Sequence, residues 1–502
     1  MIAWHIVTSR QGRSVSGMRI GHMYRRHSCQ RRDIPTRYAV LLTMLMMGLS
    51  LVVSVQAQPL SIIPGLTPPE QASGQAIDRL CPRLDPNVTT GGVGDLQIRC
   101  TEMIGNAPTN PSAARTPLLP LAPEEIVAQG KSAVETSNRN IGARLATLHG
   151  GVTSLGLRRF TLRNEEPTAP YTLVASLAPF AAVNSVVAAS TPSPFSRLGV
   201  FANGTFTGGD KDATSREAGF DFKTYGATLG ADYRFTNNFV LGVTFNYQST
   251  NIDFDNSSFL NTPDGGGIDT HSFGFSIYGT YYVSNQFYVD GIFNFGRNHY
   301  DIDRRIIYSI PSTNRAGEIT GGTTLVNQTA QGDTNSTQYS FSVGAGYDFN
   351  VRGFTITPFV RLEYSRLDVS GYQESIDNTA NGFGLALAFD DQNVESLLHV
   401  LGVQASYAIS TGIGVLLPQV RAEWRHEFKN DARTITSRFV FDPLRTPLAL
   451  VTDSPDRDFF ALGVSLSATF RGGVAAFVSY EPVIGLADVT SHSVVGGIRF
   501  EF

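Results

Sequence analysis

From Phe195 to Phe502 hydrophobic and polar positions alternate with a period of two. Tyr339, Phe341, Val343, Ala345, Tyr347 and Phe349 alternate with Ser340, Ser342, Gly344, Gly346 and Asp348. Leu462, Val464, Leu466, Ala468 and Phe470 alternate with Gly463, Ser465, Ser467 and Thr469. Val494, Gly496, Ile498, Phe500 and Phe502 alternate with Val495, Gly497, Arg499 and Glu501. In an extended chain this spacing places the two sets on opposite faces. About twelve such segments are predicted, centred near residues 201, 227, 244, 277, 293, 343, 361, 402, 421, 464, 477 and 497. Tight turns at 236–238, 284–285, 350–353, 410–412 and 471–473 alternate with longer polar connections. Those lie at 207–218, 251–270, 302–336, 370–392, 429–456 and 482–490. Short turns on one side and long loops on the other are the habit of an outer-membrane barrel. An even strand number closes the sheet and leaves no edge in lipid. The prediction for residues 195–502 is therefore an all-β, twelve-stranded antiparallel transmembrane β-barrel.

The chemistry of the faces distinguishes inside from outside. One side of each strand carries Phe, Tyr, Val and Leu for about ten residues, enough to cross when tilted. Aromatics gather near strand ends at Phe235, Phe239, Phe287, Tyr347, Phe349 and Phe470, suiting interfacial girdles. The other side is Gly, Ser, Thr and Asn with some charges, which fits a wet lumen. A soluble sandwich would need more Lys, Glu and Asp on its solvent face. A propeller would show repeats of about 40–50 residues, and none is found.

The N-terminus reads as an export signal. Eight arginines between Arg10 and Arg37 precede an apolar run from Tyr38 to Val55, then Val55-Gln-Ala57. This matches a basic region, an apolar core and a small-x-small cleavage site after Ala57. A membrane anchor is the other reading, but the run is at the lower limit for spanning, and small residues and Pro59 follow at once. Residues 1–57 are assigned to a signal peptide, with Met1, Met18 and Met23 all open as the start. Arg31-Arg32 lacks the apolar residues that a twin-arginine signal wants after it.

Cys29 would leave with the signal. Cys81 and Cys100 remain, and an even pair in an exported chain predicts a disulfide. Residues 58–122 are rich in Pro, Thr, Asn and Gly, with one short apolar segment at 77–81. An irregular segment with a turn or helix around the disulfide is expected there, because so little apolar surface builds no core. Residues 123–194 are a linker carrying a helix. Pro123-Glu-Glu125 opens it, Ile126, Ala133, Val134, Ile141, Leu145 and Leu148 give loose helical spacing, and Gly150-Gly151 stop it.

Composition narrows the function. Only 16% of the 502 residues are charged, and 42% are hydrophobic, which excludes disorder along the whole length. The net charge of −4 offers no basic footprint, so no nucleic-acid partner is expected. Outer-membrane lipid is the expected surrounding.

The C-terminal portion, about 300 residues, resembles the translocator β-barrel of bacterial autotransporters. The residues that carry the resemblance are Phe222 to Phe235, Pro358 to Tyr364, Pro418 to Phe428 and the ending Gly497 to Phe502. The resemblance implies a twelve-stranded barrel of the type V secretion pathway, export by the Sec route and a helix running through the lumen to an exported passenger. It also implies that terminal Phe502 recruits the barrel assembly machinery. The region ahead of the barrel lacks the solenoid repeats of long passengers. So residues 58–122 form a short passenger, or nothing enzymatic is exported.

Arg361, Glu363, Arg421, Glu423, Arg425 and Glu427 alternate in sign on two lumenal strands. They read either as a polar gate touching a passing chain or plug helix, or as a ladder stabilising a wet interior. Arg144 or Asn140 could meet these acids, and Asn138 or Asn140 would be the residues for self-cleavage. No catalytic residue, metal site or cofactor is assigned. Esterase autotransporters carry a Gly-Asp-Ser-Leu segment, which is absent; the nearest string, Gly332-Asp-Thr-Asn335, reads as a turn. Asp269, His271, His299, Asp301 and Asp303 gather at extracellular strand ends, where solvation explains them more simply than catalysis. Asn87-Val-Thr89 matches a glycosylation sequon without meaning in a bacterial envelope. The long loops would suit a host or matrix ligand, or merely shield the mouth.

Overall fold

Alternating side chains and short turns close the C-terminal portion into a barrel of twelve antiparallel strands in a computed structural model. It describes residues 58–119, 141, 142, 145, 197–255, 266–377, 379–470 and 473–501. The strands are β1 (Leu198–Lys211), β2 (Phe220–Thr236), β3 (Phe239–Phe254), β4 (Gly266–Tyr282), β5 (Phe287–Thr313) and β6 (Ile319–Tyr347). There follow β7 (Phe354–Val369), β8 (Gln392–Tyr407), β9 (Gly414–Glu427), β10 (Asp458–Phe470), β11 (Val474–Ile484) and β12 (Val489–Glu501). Each pairs with its sequence neighbours. β1 also pairs with β12, from Gly199↔Glu501 to Lys211↔Val489, which closes the ring. Among the described residues no helix is long and apolar enough to cross a membrane.

The short connections lie at one end. Arg352 (φ 49°) and Gly353 (φ 89°) make the turn into β7, a pair of left-handed positions that a hairpin requires and that favour glycine. Aromatic pairs ring this end, including Tyr347–Phe349 at 4.7 Å and Phe354–Tyr407 at 4.5 Å. Faces divide as the alternation predicts. Val464 is 59% exposed on the outer wall, whereas Ser276, Ser340 and Ser342 are buried inside. The inward polar groups bond to one another across strands. Thr228 donates to Asn246 at 2.7 Å, Asn246 to Ser276 at 3.2 Å and Asn294 to Ser340 at 2.7 Å. Where a bulky ring points inward, a glycine receives it: Phe201 lies over Gly230, and Phe359 over Gly402.

The opposite end departs from the expectation of polar loops. Residues 302–336 are not a loop but the outer half of a β5–β6 hairpin, paired from Ile302↔Gly332 to Pro311↔Thr323. β5 has 27 residues and β6 has 29, against about 9–11 needed to cross a membrane. The reason is continued alternation: Ile302, Arg304, Ile306, Tyr308 and Ile310 are all buried on one face. Gly332 to Asn335 is thus strand, not turn. The β7–β8 and β9–β10 connections also carry structure. Segments Tyr372–Gln373, Leu387–Phe389, Thr434–Phe439 and Leu448–Val451 form a separate four-stranded sheet. A bridge from Gln331 to Ser375 joins it to β6.

Residues 58–119 are helical rather than irregular. α1 (Pro68–Leu80) starts on a capping box in which Thr67 and Glu70 bond each other's backbone. α2 (Gly91–Asn106) and the five-residue α3 (Pro111–Arg115) follow. Cys81 and Cys100 form a disulfide, Cα–Cα 5.4 Å, tying the end of α1 to α2. It closes a span of 19 residues, a constraint on the unfolded chain of about 3 kcal/mol. These helices bury Leu60, Ile77, Leu80, Leu96 and Met103 in a core that they share. The rest of the core comes from the barrel's own outer end.

Candidate functional site

The barrel's lumen and its long-loop mouth hold the buried charges. On the lumen wall β7 supplies Arg361 and Glu363, β9 supplies Arg421, Glu423 and Arg425, and β11 supplies Glu481. β8 lies between β7 and β9, with Val400 opposite both Arg361 and Arg425. Glu423 is the centre. Arg425 donates to it at 2.8 and 3.0 Å, and Arg421 and Arg361 approach at 3.5 and 3.6 Å. Arg361 also pairs with Glu363, and Arg421 with Glu481; Arg425 reaches Glu481 at 3.3 Å. Three arginines and three glutamates balance, as buried ions must.

Glu427 stands apart from this network. It accepts from the Ser396 hydroxyl and from the backbone N–H of Leu397 and Lys429, both at 2.9 Å, so it holds the β8–β9 rim together. Glu481 was not singled out from the sequence, because its strand carries no alternating charges to mark it. Its signal was only an acid two residues before Val483 in an otherwise uncharged strand.

A turn of helix enters the lumen. Ile141 and Leu145, one turn apart, are buried against Phe201, Val240, Tyr278 and Ile292. Gly142 and Leu145 line a cavity with Asp290, Arg361, Glu363 and Arg421. The helical turn carrying Ile141, Gly142 and Leu145 therefore meets the charged wall. Arg144, Asn138 and Asn140 lie outside the described residues, as do residues 1–57, read from the sequence as a signal peptide, and Phe502.

At the long-loop end the three helices form a cap seated in a cup. The cup is built from the β5–β6 hairpin and the four-stranded sheet. Leu80, Leu96, Met103 and Leu118 of the cap share one core with Tyr308, Ile310, Val326, Leu387 and Phe439 of the barrel. The contact is also polar. Asp95 accepts from the backbone N–H of Gly382 (3.1 Å) and Gly384 (2.8 Å). Arg99 pairs with Asp95 at 3.5 Å and donates to Glu102 at 2.5 Å. Thr324 of β6 donates to Glu102 at 2.6 Å, and Asn106 to the Pro311 carbonyl at 2.9 Å. Below the cup, Arg304 is fully enclosed and grips Glu374 through two donors, at 2.8 and 2.5 Å. None of these residues stood out in the sequence, since Asp95, Arg99 and Glu102 look like any solvated helix stripe.

Burial pushes the Glu102 carboxyl above the usual carboxylate range, against the pull of Arg99 and the Thr324 hydroxyl. Such a group adds stability below its unfolded value of 4.5, and that contribution is lost as pH rises through the raised folded value. Asp95 and Arg99 face it from α2, and Tyr308 and Thr324 from the hairpin. The urea midpoint of the helical signal should therefore be higher near pH 4.5 than at neutral pH. Glu102→Gln should flatten that dependence; an unchanged slope would remove Glu102 as its source.

The remaining sequence candidates fall elsewhere. His271 and His299 sit opposite each other, as do Asp269 and Asp301, on the outward face of β4 and β5. His299 meets Asn335 at 3.0 Å and Asp301 at 3.5 Å, so they form an exposed ladder facing away from the lumen. Among the described residues no group of His, Cys, Asp and Glu could hold a metal ion.

The autotransporter beta-domain family model matches residues 200–481. Over 111 residues the chain is 32% identical to esterase EstA of Pseudomonas aeruginosa, a stretch that takes in 21% of this chain and 16% of that protein. Over 149 residues it is 27% identical to outer membrane protein A of Rickettsia rickettsii, 30% of this chain and 6% of that one. The chain thus spans under a fifth of the length of these relatives. Among solved structures it is similar to the translocator domain of autotransporter NalP from Neisseria meningitidis. That match has TM-score 0.45 and 17% identity over 61% of this chain and 89% of that one. It is also similar to the beta domain of the Bordetella autotransporter Brka, with TM-score 0.40 and 18% identity over 61% and 100%. With a family match across more than half of its length, this chain belongs to the autotransporter family, as a bacterial outer-membrane β-barrel.

Proposed function

We propose that the barrel carries its own N-terminal segment, residues 58–119, to the cell surface and displays it there as a cap. The observation that supports this is where three described stretches lie. The cap sits at the long-loop end, which in outer-membrane barrels faces outward. Ile141 and Leu145 lie within the lumen, and β1 begins beside the short turn between β2 and β3, with Leu198 opposite Tyr233. In chain order, the described stretches thus lie at the outer mouth, in the lumen and at the inner end. That order is what passage of a segment through the lumen would leave behind.

The charged wall serves this reading as a net-neutral surface that a polar chain can pass without meeting an unpaired charge. The role needs no catalytic residue and no cofactor. Export to the periplasm by the Sec route and insertion by the barrel assembly machinery are the partner steps that it requires.

An epitope tag placed just after Pro59 tests the proposal. It should be reached by antibody on intact cells. Access only after permeabilisation would put the segment in the periplasm, and the barrel would then act through its outer loops or as a channel.

A further inference from the structure

The cap and the cup each lack what the other supplies. α2 carries glycines at 91 and 92 in its first turn, at 94, and at 105 in its last turn. Docking explains two of them. A Cβ at Gly105 would run into the carbonyl oxygen of Gly317 at the hairpin tip. A Cβ at Gly92 would enter the ring of Phe441. The cup shows the same adaptation in reverse. A Cβ at Gly384 would come within 2.6 Å of the Gly92 carbonyl oxygen and of the Leu96 backbone nitrogen. Gly384 also donates its N–H to Asp95. Three glycines thus serve close approach between cap and cup.

The barrel side is equally incomplete alone. Among the described residues β4 pairs with β5 as far as Arg304, and β7 with β6 from Ser336 inward. Beyond those points the hairpin's apolar face of Ile306, Tyr308, Ile310, Val326 and Ala330 shares its core with Leu387, Phe389 and Phe439 of the four-stranded sheet on one side and with the cap on the other. The cap covers that face, and it also bonds the strand: Asn106 reaches the Pro311 carbonyl and Thr116 the Ser309 carbonyl.

We infer that residues 58–119 and the outer end of the barrel are two halves of one folding unit, so that the segment becomes compact only against its own barrel. The occupant of the cup is this named segment of the same chain. The inference rests on the proposed display for its biological setting, but the co-folding itself is tested separately. Its consequence is directional. Ahead of passage the segment has half a core and stays loose enough to thread, with one small disulfide loop. After emergence it closes on the hairpin and is retained at the mouth by contacts besides the peptide link.

The test uses the full-length protein with the tag after Pro59, in intact cells and after detergent extraction. Arg79 and Arg83 are exposed points for trypsin once the helices loosen. Gly384→Val alters the cup alone, and Gly105→Val the cap alone. Wild-type cap should resist trypsin, and each variant should lose it at least about tenfold faster, because cleavage follows the open population. The heat-modifiable barrel band should be unchanged; if Gly384→Val disturbs it, Gly105→Val, which leaves the barrel sequence intact, decides. Variants as resistant as wild type would overturn co-folding. A tag unreachable on intact cells, with resistance still lost in detergent, would overturn display and leave co-folding standing.

Discussion

Val464→Arg should sharply reduce the amount of folded barrel in the outer membrane. Val464 is at the centre of β10, points away from the lumen and is flanked on the same face by Leu462 and Leu466. An arginine on the lipid face near the midplane costs roughly 2–4 kcal/mol. Ser465→Arg is the control one residue away. The Ser465 hydroxyl donates to Gln419 at 3.0 Å on the lumen side, where an arginine finds water and polar neighbours. It should assemble at close to the wild-type level. The measurement is the heat-modifiable band in outer-membrane fractions. Equal yields from the two variants would refute the assignment of faces.

Glu423→Ala should be the most damaging single change in the lumen. Glu423 is buried and faces Arg361, Arg421 and Arg425 together. Its removal leaves three arginines against Glu363 and Glu481. Breaking a buried ionic network on one side costs about 3–5 kcal/mol, because a charge is left without compensation. The unfolding midpoint of the detergent-solubilised barrel should fall accordingly. Adding Arg425→Met should recover part of the loss by restoring balance. An unaltered midpoint in Glu423→Ala would mean that water already screens the cluster.

The two predictions draw on different levels of information. The faces of β10 follow from the sequence, since a strand's period of two sends Val464 and Ser465 to opposite sides whatever its neighbours are. The centrality of Glu423 does not follow from it. Arg361, Glu363, Arg421 and Arg425 were recognisable as lumenal charges from their alternation, and β8 lies between their two strands as the order of segments predicts. But Glu427, in the same alternating run, turned out to bond the rim backbone instead. Glu481, four strands along the sequence from the first pair, completes the network. Pairing distances across a closed lumen depend on barrel tilt and radius, which no single strand encodes.

The cap shows the same division more strongly. Cys81 and Cys100 predicted a disulfide in an exported chain, and Thr67 with Glu70 is a capping box that could have announced α1. α2 was harder to see because Gly91, Gly92, Gly94 and Gly105 lower its intrinsic helix propensity. The alternation of Ile302 through Ile310 contained the hairpin, although its polar partner strand, Thr320 to Thr324, disguised it as loop.

What the sequence alone determined was local and periodic: which segments are strands, which side of each meets lipid, where the short turns fall, and that Cys81 and Cys100 pair. These follow from side-chain alternation and turn chemistry, which act over a few residues. What only the tertiary structure decided was which distant groups meet. The network around Glu423, and the core that α1 and α2 share with Tyr308, Val326 and Phe439, join residues far apart in the chain. Hydrophobic burial and ion pairing have no sequence range of their own, so their partners are fixed only when the sheet closes and the cap finds its cup.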